Sequence, residues 1–314
     1  MPPHTLPRAA VLAAASAVSA ASLAAAASSP AAPLFALTPW GCNSVRYQLA
    51  APGAAAIADT AFGPLAAAAP PCPGVPAPVA SRDAAGARLA VGNLIVAVDA
   101  ATGLLTATRA DTGAVLLTQT GAAWGPPSPR ARAGSGSVVV SFAGVNASEA
   151  VYGGGPLSWG SYPGPRVQLP FNKVVEDSEY YMHSGGQVSL VPLFYSSAGW
   201  ALLWASPAYG NVTLSQAPAE ASFHARATLA VDLWLSACPA GGCDMGAKPH
   251  PFGALITQFL LATGGTPKPL PLAAQGFIQS KDRYRNQTQV LAIAAEYKAR
   301  NLPIDMIVID YFRK

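Results

Sequence analysis

The sharpest chemical signal in this chain closes the run Asp305-Met-Ile-Val-Ile309, which Asp310 follows directly. The run is nearly continuous in apolar residues, as expected of a parallel-sheet strand covered on both faces. A carboxylate just past the C-terminal end of such a strand stands where barrel enzymes gather binding and catalytic groups; the plainer alternative is a cap on the next turn. Other chemistry-bearing stretches are weaker. Glu176-Asp177-Ser178-Glu179 reads as a solvated turn. Gly153-Gly154-Gly155 lacks the Lys-Ser/Thr and helix start of a phosphate loop, and Gly185-Gly186 reads as a tight turn. No Gly-x-Ser-x-Gly or cofactor fingerprint occurs. His183, His224 and His250 share no ligand spacing with the cysteines, so neither metal nor cofactor is expected.

The cysteines point elsewhere. Cys42, Cys72, Cys238 and Cys243 form an even set behind an N-terminus that reads as an export signal. Arg8 is its positive start, Ala9 to Ala27 its apolar stretch, and Ser28-Ser29-Pro30 a fitting end, giving a signal peptide over 1–29. A membrane anchor is the competing reading, but alanine is a weak membrane residue, so no stable span is expected after cleavage. Three connectivities are open to four cysteines, with the local pairs Cys42–Cys72 and Cys238–Cys243 expected. The sequons at Asn146, Asn211 and Asn286 also suit a secreted glycoprotein.

The elements that position these groups follow from pattern. Hydrophobic residues make up 51% of the 314 and charged residues 11%, and the net charge of +4 is spread without a Lys/Arg run, which argues against nucleic acid. Residues 31 to 87 show one strand-like run, Ser44 to Leu49, among Pro- and Ala-rich loops. From Arg88, strands at 94–98, 104–108 and 114–118 alternate with the turns Asp99–Gly103 and Asp111–Gly113, as in a meander. Further strands are expected at 138–142, 188–194, 200–204 and 227–235. Many strands with no long helix between them argue for a β-sandwich. Phe252, Leu255, Ile256 and Phe259 then fall at helical spacing up to Gly264-Gly265, and Thr266-Pro-Lys-Pro-Leu-Pro271 is a stiff connector.

Beyond the connector lies one βαβ unit. Ala273 to Ile278 reads as a buried strand, and Asn286 caps a helix with Gln289 in the capping-box position. Val290, Leu291, Ala294 and Tyr297 are expected on its covered face. Lys298 and Arg300 complement its C-terminal dipole before Pro303 stops it.

Gly276-Phe-Ile-Gln-Ser-Lys-Asp-Arg-Tyr284, this helix and Asn301-Leu-Pro-Ile-Asp-Met-Ile-Val-Ile-Asp-Tyr-Phe312 resemble the start of the catalytic barrel in glycoside hydrolase family 31, the family of α-glucosidases and α-xylosidases. Upstream, the Asp99–Thr118 meander, Val151-Tyr-Gly-Gly-Gly155 and Leu193 to Trp204 resemble its N-terminal domain, so the resemblance covers roughly residues 40 to 314. It implies a mainly β fold: a galactose-mutarotase-like β-sandwich over 30–265, with the connecting helix near 251–263, then the first β-α-β unit of an incomplete (β/α)8 TIM barrel over 266–314.

The resemblance also implies roles. Asp310 matches the family's sugar-binding aspartate after the second barrel strand, where a carboxylate accepts charge-assisted bonds from sugar hydroxyls. Gln279 is expected to face the pocket, Tyr284 to offer a stacking surface, and Tyr311 to line the wall. The wording Gln-Ser-Lys-Asp-Arg-Tyr leans toward α-xylosidase-like members, and Asn172 to Tyr181 could add contacts from a sandwich loop. The expected substrate is an α-linked oligosaccharide or glycoside. Retaining enzymes need two carboxyl groups about 5–5.5 Å apart, and the family takes both from later barrel strands. The chain is therefore expected to be the N-terminal fragment of a secreted retaining α-glycosidase, inactive alone, with no catalytic residue before Lys314. The alternative is a secreted β-sandwich protein that binds carbohydrate without catalysis.

Overall fold

In the computed structural model the described residues are 23–24, 33–57, 65, 69–126, 135–143, 149, 151–154, 175–176, 191–206, 210–216, 219–243, 252–265 and 267–309. Numbered along the chain, the first strands are β1 (Leu23–Ala24), β2 (Phe35–Pro39), β3 (Ser44–Ala50), β4 (Val79–Arg82), β5 (Gly86–Val91), β6 (Leu94–Asp99), β7 (Leu105–Arg109), β8 (Val115–Gly125) and β9 (Gly136–Ala143). There follow β10 (Val151–Gly154), β11 (Val175–Glu176), β12 (Val191–Ser196), β13 (Trp200–Trp204), β14 (Gly210–Gln216), β15 (Ala219–Thr228) and β16 (Ala230–Ala237). Helix α1 (Gly253–Ala262), a 3-10 turn (Leu272–Gln275), β17 (Ile278–Lys281), α2 (Gln287–Ala299) and β18 (Met306–Ile309) complete the order. Two compact units result, Met1–Gly265 and Thr266–Lys314.

The first unit is a sandwich of two antiparallel sheets, ordered β1-β2-β3-β16-β13-β12-β10 and β11-β14-β15-β9-β8-β7-β6-β5-β4. Strict alternation builds the core between them. Val45, Tyr47 and Leu49 of β3, Leu94, Val96 and Val98 of β6, and Ala221, Phe223 and Ala225 of β15 all point inward, as a period of two requires. Strands β13 and β16 are buried along their whole length, because each has a covered side on both faces. Trp200, Leu202 and Trp204 enter the inter-sheet core, whereas Ala201, Leu203 and Trp234 pack outward with Phe252 and Leu255 of the α1 region.

Polar contacts seat α1 on that outer face. The Gln258 side-chain oxygen accepts from the hydroxyls of Ser236 (2.9 Å) and Ser44 (3.3 Å), and the indole of Trp40 donates to the Ala262 carbonyl (3.4 Å). The helix stops in a Schellman motif: Gly265 N–H returns to Leu260 O (2.7 Å) and Gly264 N–H to Leu261 O (3.4 Å), with φ of +122° at Gly264. Two local disulfides, Cys42–Cys72 and Cys238–Cys243, tie loops of this unit.

Several expectations needed correction here. Residues 31–87 hold β2, β4 and the start of β5 besides β3; the single Pro39 at the end of β2 and the short, exposed β4 hid them. The strand expected at 227–235 straddles a bend. β15 and β16 lie in different sheets, and the Thr228 hydroxyl donates to Ala230 O (2.7 Å) where the chain crosses between them. The third meander strand runs on to Gly125 because a bulge between Gln119 and Gly121 lets β8 continue along β9.

In the second unit β17 and β18 pair in parallel, Ile278 opposite Met306 through Lys281 opposite Ile309, with α2 as the crossover. The strand expected at 273–278 begins later: Leu272–Gln275 makes a 3-10 turn that starts at Pro271, with Ala274 N–H on Pro271 O (2.9 Å). On α2 the covered positions are Val290, Ile293, Ala294 and Tyr297, while Leu291 is 59% exposed. The i, i+3, i+4, i+7 pattern thus holds at Val290, Ala294 and Tyr297 as expected, with Ile293 in the place of Leu291. Apolar side chains at Met306, Val308 and Ile309 are partly exposed too. No helix among the described residues is long and apolar enough to cross a membrane.

Candidate functional site

The site is built at the C-terminal ends of the two parallel strands. Local sequence fixes the connection after β17. Lys281 O accepts from Arg283 N–H (2.6 Å), and Arg283 takes φ of +76°, turning the chain sharply toward α2. Asn286 then caps the helix: its side-chain oxygen accepts from Gln289 N–H (2.9 Å). The Gln289 side chain reaches back to Arg285 N–H (2.8 Å), one residue before the partner of a standard capping box. Lys281, Asp282, Arg283, Arg285, Asn286 and Gln289 line a concavity of about 520 Å³ beside this turn.

At its far end α2 closes in a second Schellman motif. Asn301 takes the left-handed position at φ +53°, with Asn301 N–H on Lys298 O (3.1 Å) and Leu302 N–H on Tyr297 O (2.9 Å). Arg300 pairs with Glu296 one turn back (2.5 Å) on the exposed face, a contact of small energetic weight.

Of the expected site residues, Gln279 and Tyr284 fall among the described ones. Gln279 does not stand free toward a pocket: its side-chain oxygen accepts from the Tyr297 hydroxyl of α2 (2.8 Å), and its amide donates to Ser280 O (3.1 Å). Phe277, two residues earlier on the same face, packs its ring against Tyr297 at 5.8 Å. Gln279 therefore belongs to the strand–helix interface. Tyr284 is 5% exposed, and its hydroxyl has no hydrogen-bond partner among the described residues. A ring so covered offers no face for stacking on a sugar. Asp310 and Tyr311 lie outside the described residues, as do Asn146, Asp177 and Glu179. Asn211 sits within β14, opposite His224 and Glu176.

Two glycines of these stretches serve packing. Gly153, in the Tyr-Gly-Gly stretch, has φ of +121°, and a Cβ there would meet the Leu193 carbonyl oxygen at 2.0 Å. The stretch is a bulged edge strand against β12, not an anion cradle. Gly276 gives up its side-chain space to the Asp305 carboxylate. No group of three or more His, Cys, Asp or Glu among the described residues could hold a metal.

Comparison with known proteins gives this arrangement its context. No family model matches the chain. A family 31 glucosidase of Pseudescherichia vulneris is 38% identical over 122 residues, 39% of this chain and 20% of that protein. Alpha-xylosidase A of Aspergillus niger is 37% identical over 120 residues, 38% of this chain and 15% of that protein. Among solved structures, a GH31 alpha-xylosidase from a soil metagenome, complexed with xylose, superposes with a TM-score of 0.68 at 26% identity over 93% of this chain. The xylosidase from Aspergillus niger shares the fold at a TM-score of 0.66 and 23% identity, over 89% of this chain. The chain spans 41% and 38% of those two structures, and 20% or less of the curated relatives. A sandwich followed by a β-α-β unit, together with these relatives, gives the chain its likeness to glycoside hydrolase family 31 proteins, whose N-terminal portion it matches.

Proposed function

We propose that this chain is the N-terminal portion of a secreted, retaining α-glycosidase of α-xylosidase type, acting on α-linked glycosides. The observation that carries the reading is the match over 93% of the chain to a structure described as an alpha-xylosidase with xylose. The paired cysteines support export, since disulfides of this kind persist in oxidising compartments. Asp310 is the sugar-binding carboxylate in this reading, following β18 as the next position after Ile309.

A retaining mechanism demands a nucleophile and an acid/base about 5–5.5 Å apart. The one carboxylate at the strands' N-terminal ends, Asp305, is engaged with backbone instead, on the barrel face associated with stability rather than chemistry. The 314-residue polypeptide should therefore not turn over a nitrophenyl α-xyloside. Steady hydrolysis by the purified chain would contradict this reading.

A further inference from the structure

The parallel pair β17–β18 is fastened at its N-terminal end by more than the ladder. Asp305 N–H donates to Phe277 O (3.0 Å), and Met306 N–H approaches the same oxygen (3.3 Å). In return, Phe277 N–H donates to Oδ2 of Asp305 (3.0 Å). The carboxylate occupies the room beside Gly276: a Cβ built there would lie 2.0 Å from Oδ2 and 2.3 Å from the carboxyl carbon. Gly276 has φ of −91° and ψ of −158°, which other residues adopt, so what glycine supplies here is room for the Asp305 carboxylate and not conformation.

We propose that Gly276 and Asp305 form a register lock, and that Asp305 is a positioning residue for the carboxylate that follows β18. Backbone bonds alone repeat along a parallel pair and do not distinguish one register from the next. A slip of one residue sends every side chain to the opposite face. In the observed register Phe277 and Gln279 face α2, where both touch Tyr297, and Ile307 is the partner of Gln279. Ile278, Ser280, Met306 and Val308 take the other face by alternation. The lock fits one register only, because the notch at Gly276 accepts one carboxylate at one height. Its bearing on sugar rests on the proposed glycosidase reading; the register itself does not.

The test uses the 314-residue chain with isotopically labelled Ile and Met methyl groups. The wild type should show a nuclear Overhauser contact between Ile278 and Met306. Gly276→Ala and Asp305→Ala should lose it while α2 keeps its helical shifts, and Asp305→Asn, which retains an acceptor oxygen of the same shape, should restore it. Unchanged contacts in Gly276→Ala and Asp305→Ala would overturn the lock. Collapse of α2 together with the contact would also overturn it, since the pair would then be holding the unit together rather than setting its register. In an active enzyme extended past Lys314, Asp305→Ala should raise KM by about tenfold and Asp305→Asn should leave it nearly unchanged. An inactive extended protein whose methyl contacts behave as stated would instead sink the glycosidase reading and leave the lock standing.

Discussion

Asp232 shows how single residues carry this fold. It is 1% exposed on the outer face of β16, and its carboxylate accepts from the Arg46 guanidinium at 2.5 Å and 3.0 Å and from Gln48 at 3.3 Å. Arg46 in turn lies 4.9 Å over the Trp40 ring. Removing one partner strands a buried charge, so Asp232→Ala should destabilise the sandwich by about 3 kcal/mol in urea unfolding. Tyr47 is another: its buried phenol donates to Gly103 O (2.6 Å), and burial pushes its ionisation well above the ordinary range. At the surface, the hydrogen-bonded Arg109 guanidinium holds the Asp111 carboxyl at about 2. Because that value is depressed, the pair stabilises the fold above the unfolded carboxylate's value of about 3.9. The contribution is lost as pH falls from about 4 toward 2. Asp111→Asn should flatten that part of an acid-unfolding profile, and an unchanged slope would contradict the assignment. Residue chemistry of this sort was the least legible level in the sequence. Asp232 and Arg46 are 186 positions apart, and nothing local marks either as a partner.

At the scale of elements, the sequence was most readable where periodicity and punctuation agreed. Strand β13 runs from Trp200 to Trp204 as its aromatic-bounded apolar run indicated, and the meander turns at Asp99 and Asp111 end in glycine as expected. The Asn286 cap was legible for the same reason: a short polar residue before a helical pattern has one economical use. Asn286→Ala should cost α2 about 1 kcal/mol, seen as faster amide exchange at Gln289 and its neighbours without loss of the sandwich. Legibility failed where an element depends on partners remote in sequence. β14 and β15 carry Ser, Thr, Glu and His, and they become strands because they pair with each other and β15 pairs with β9, while Val212, Ala221, Phe223 and Ala225 enter the core. Leu291 failed in the opposite sense: an apolar residue near the covered stripe is left 59% exposed, because the helix phase is set by Tyr297 on Gln279 and Phe277.

At the scale of the molecule, the sandwich holds a closed inter-sheet core and a second layer beneath α1, whereas the β-α-β unit leaves apolar strand positions partly exposed. That contrast suits a sandwich that buries its own layers beside a short parallel pair with apolar strand positions partly exposed. The opening of the barrel was legible because its motif is compact in sequence. The placement of Gln279 and Tyr284 was not, since which face of β17 meets α2 and what covers Tyr284 are set by tertiary packing. On the proposed reading, Asp310 serves sugar recognition in a retaining α-glycosidase of which this chain is the N-terminal portion. The most direct measurement is turnover of a nitrophenyl α-xyloside by protein encoded through and beyond Lys314, with the anomer of the released sugar followed from the first turnovers. Hydrolysis with the α-anomer formed first is expected, with a fall in kcat/KM of about 10- to 100-fold for Asp310→Ala, the worth of one or two charge-assisted hydrogen bonds. Formation of the β-anomer first, or full activity in Asp310→Ala, would contradict it.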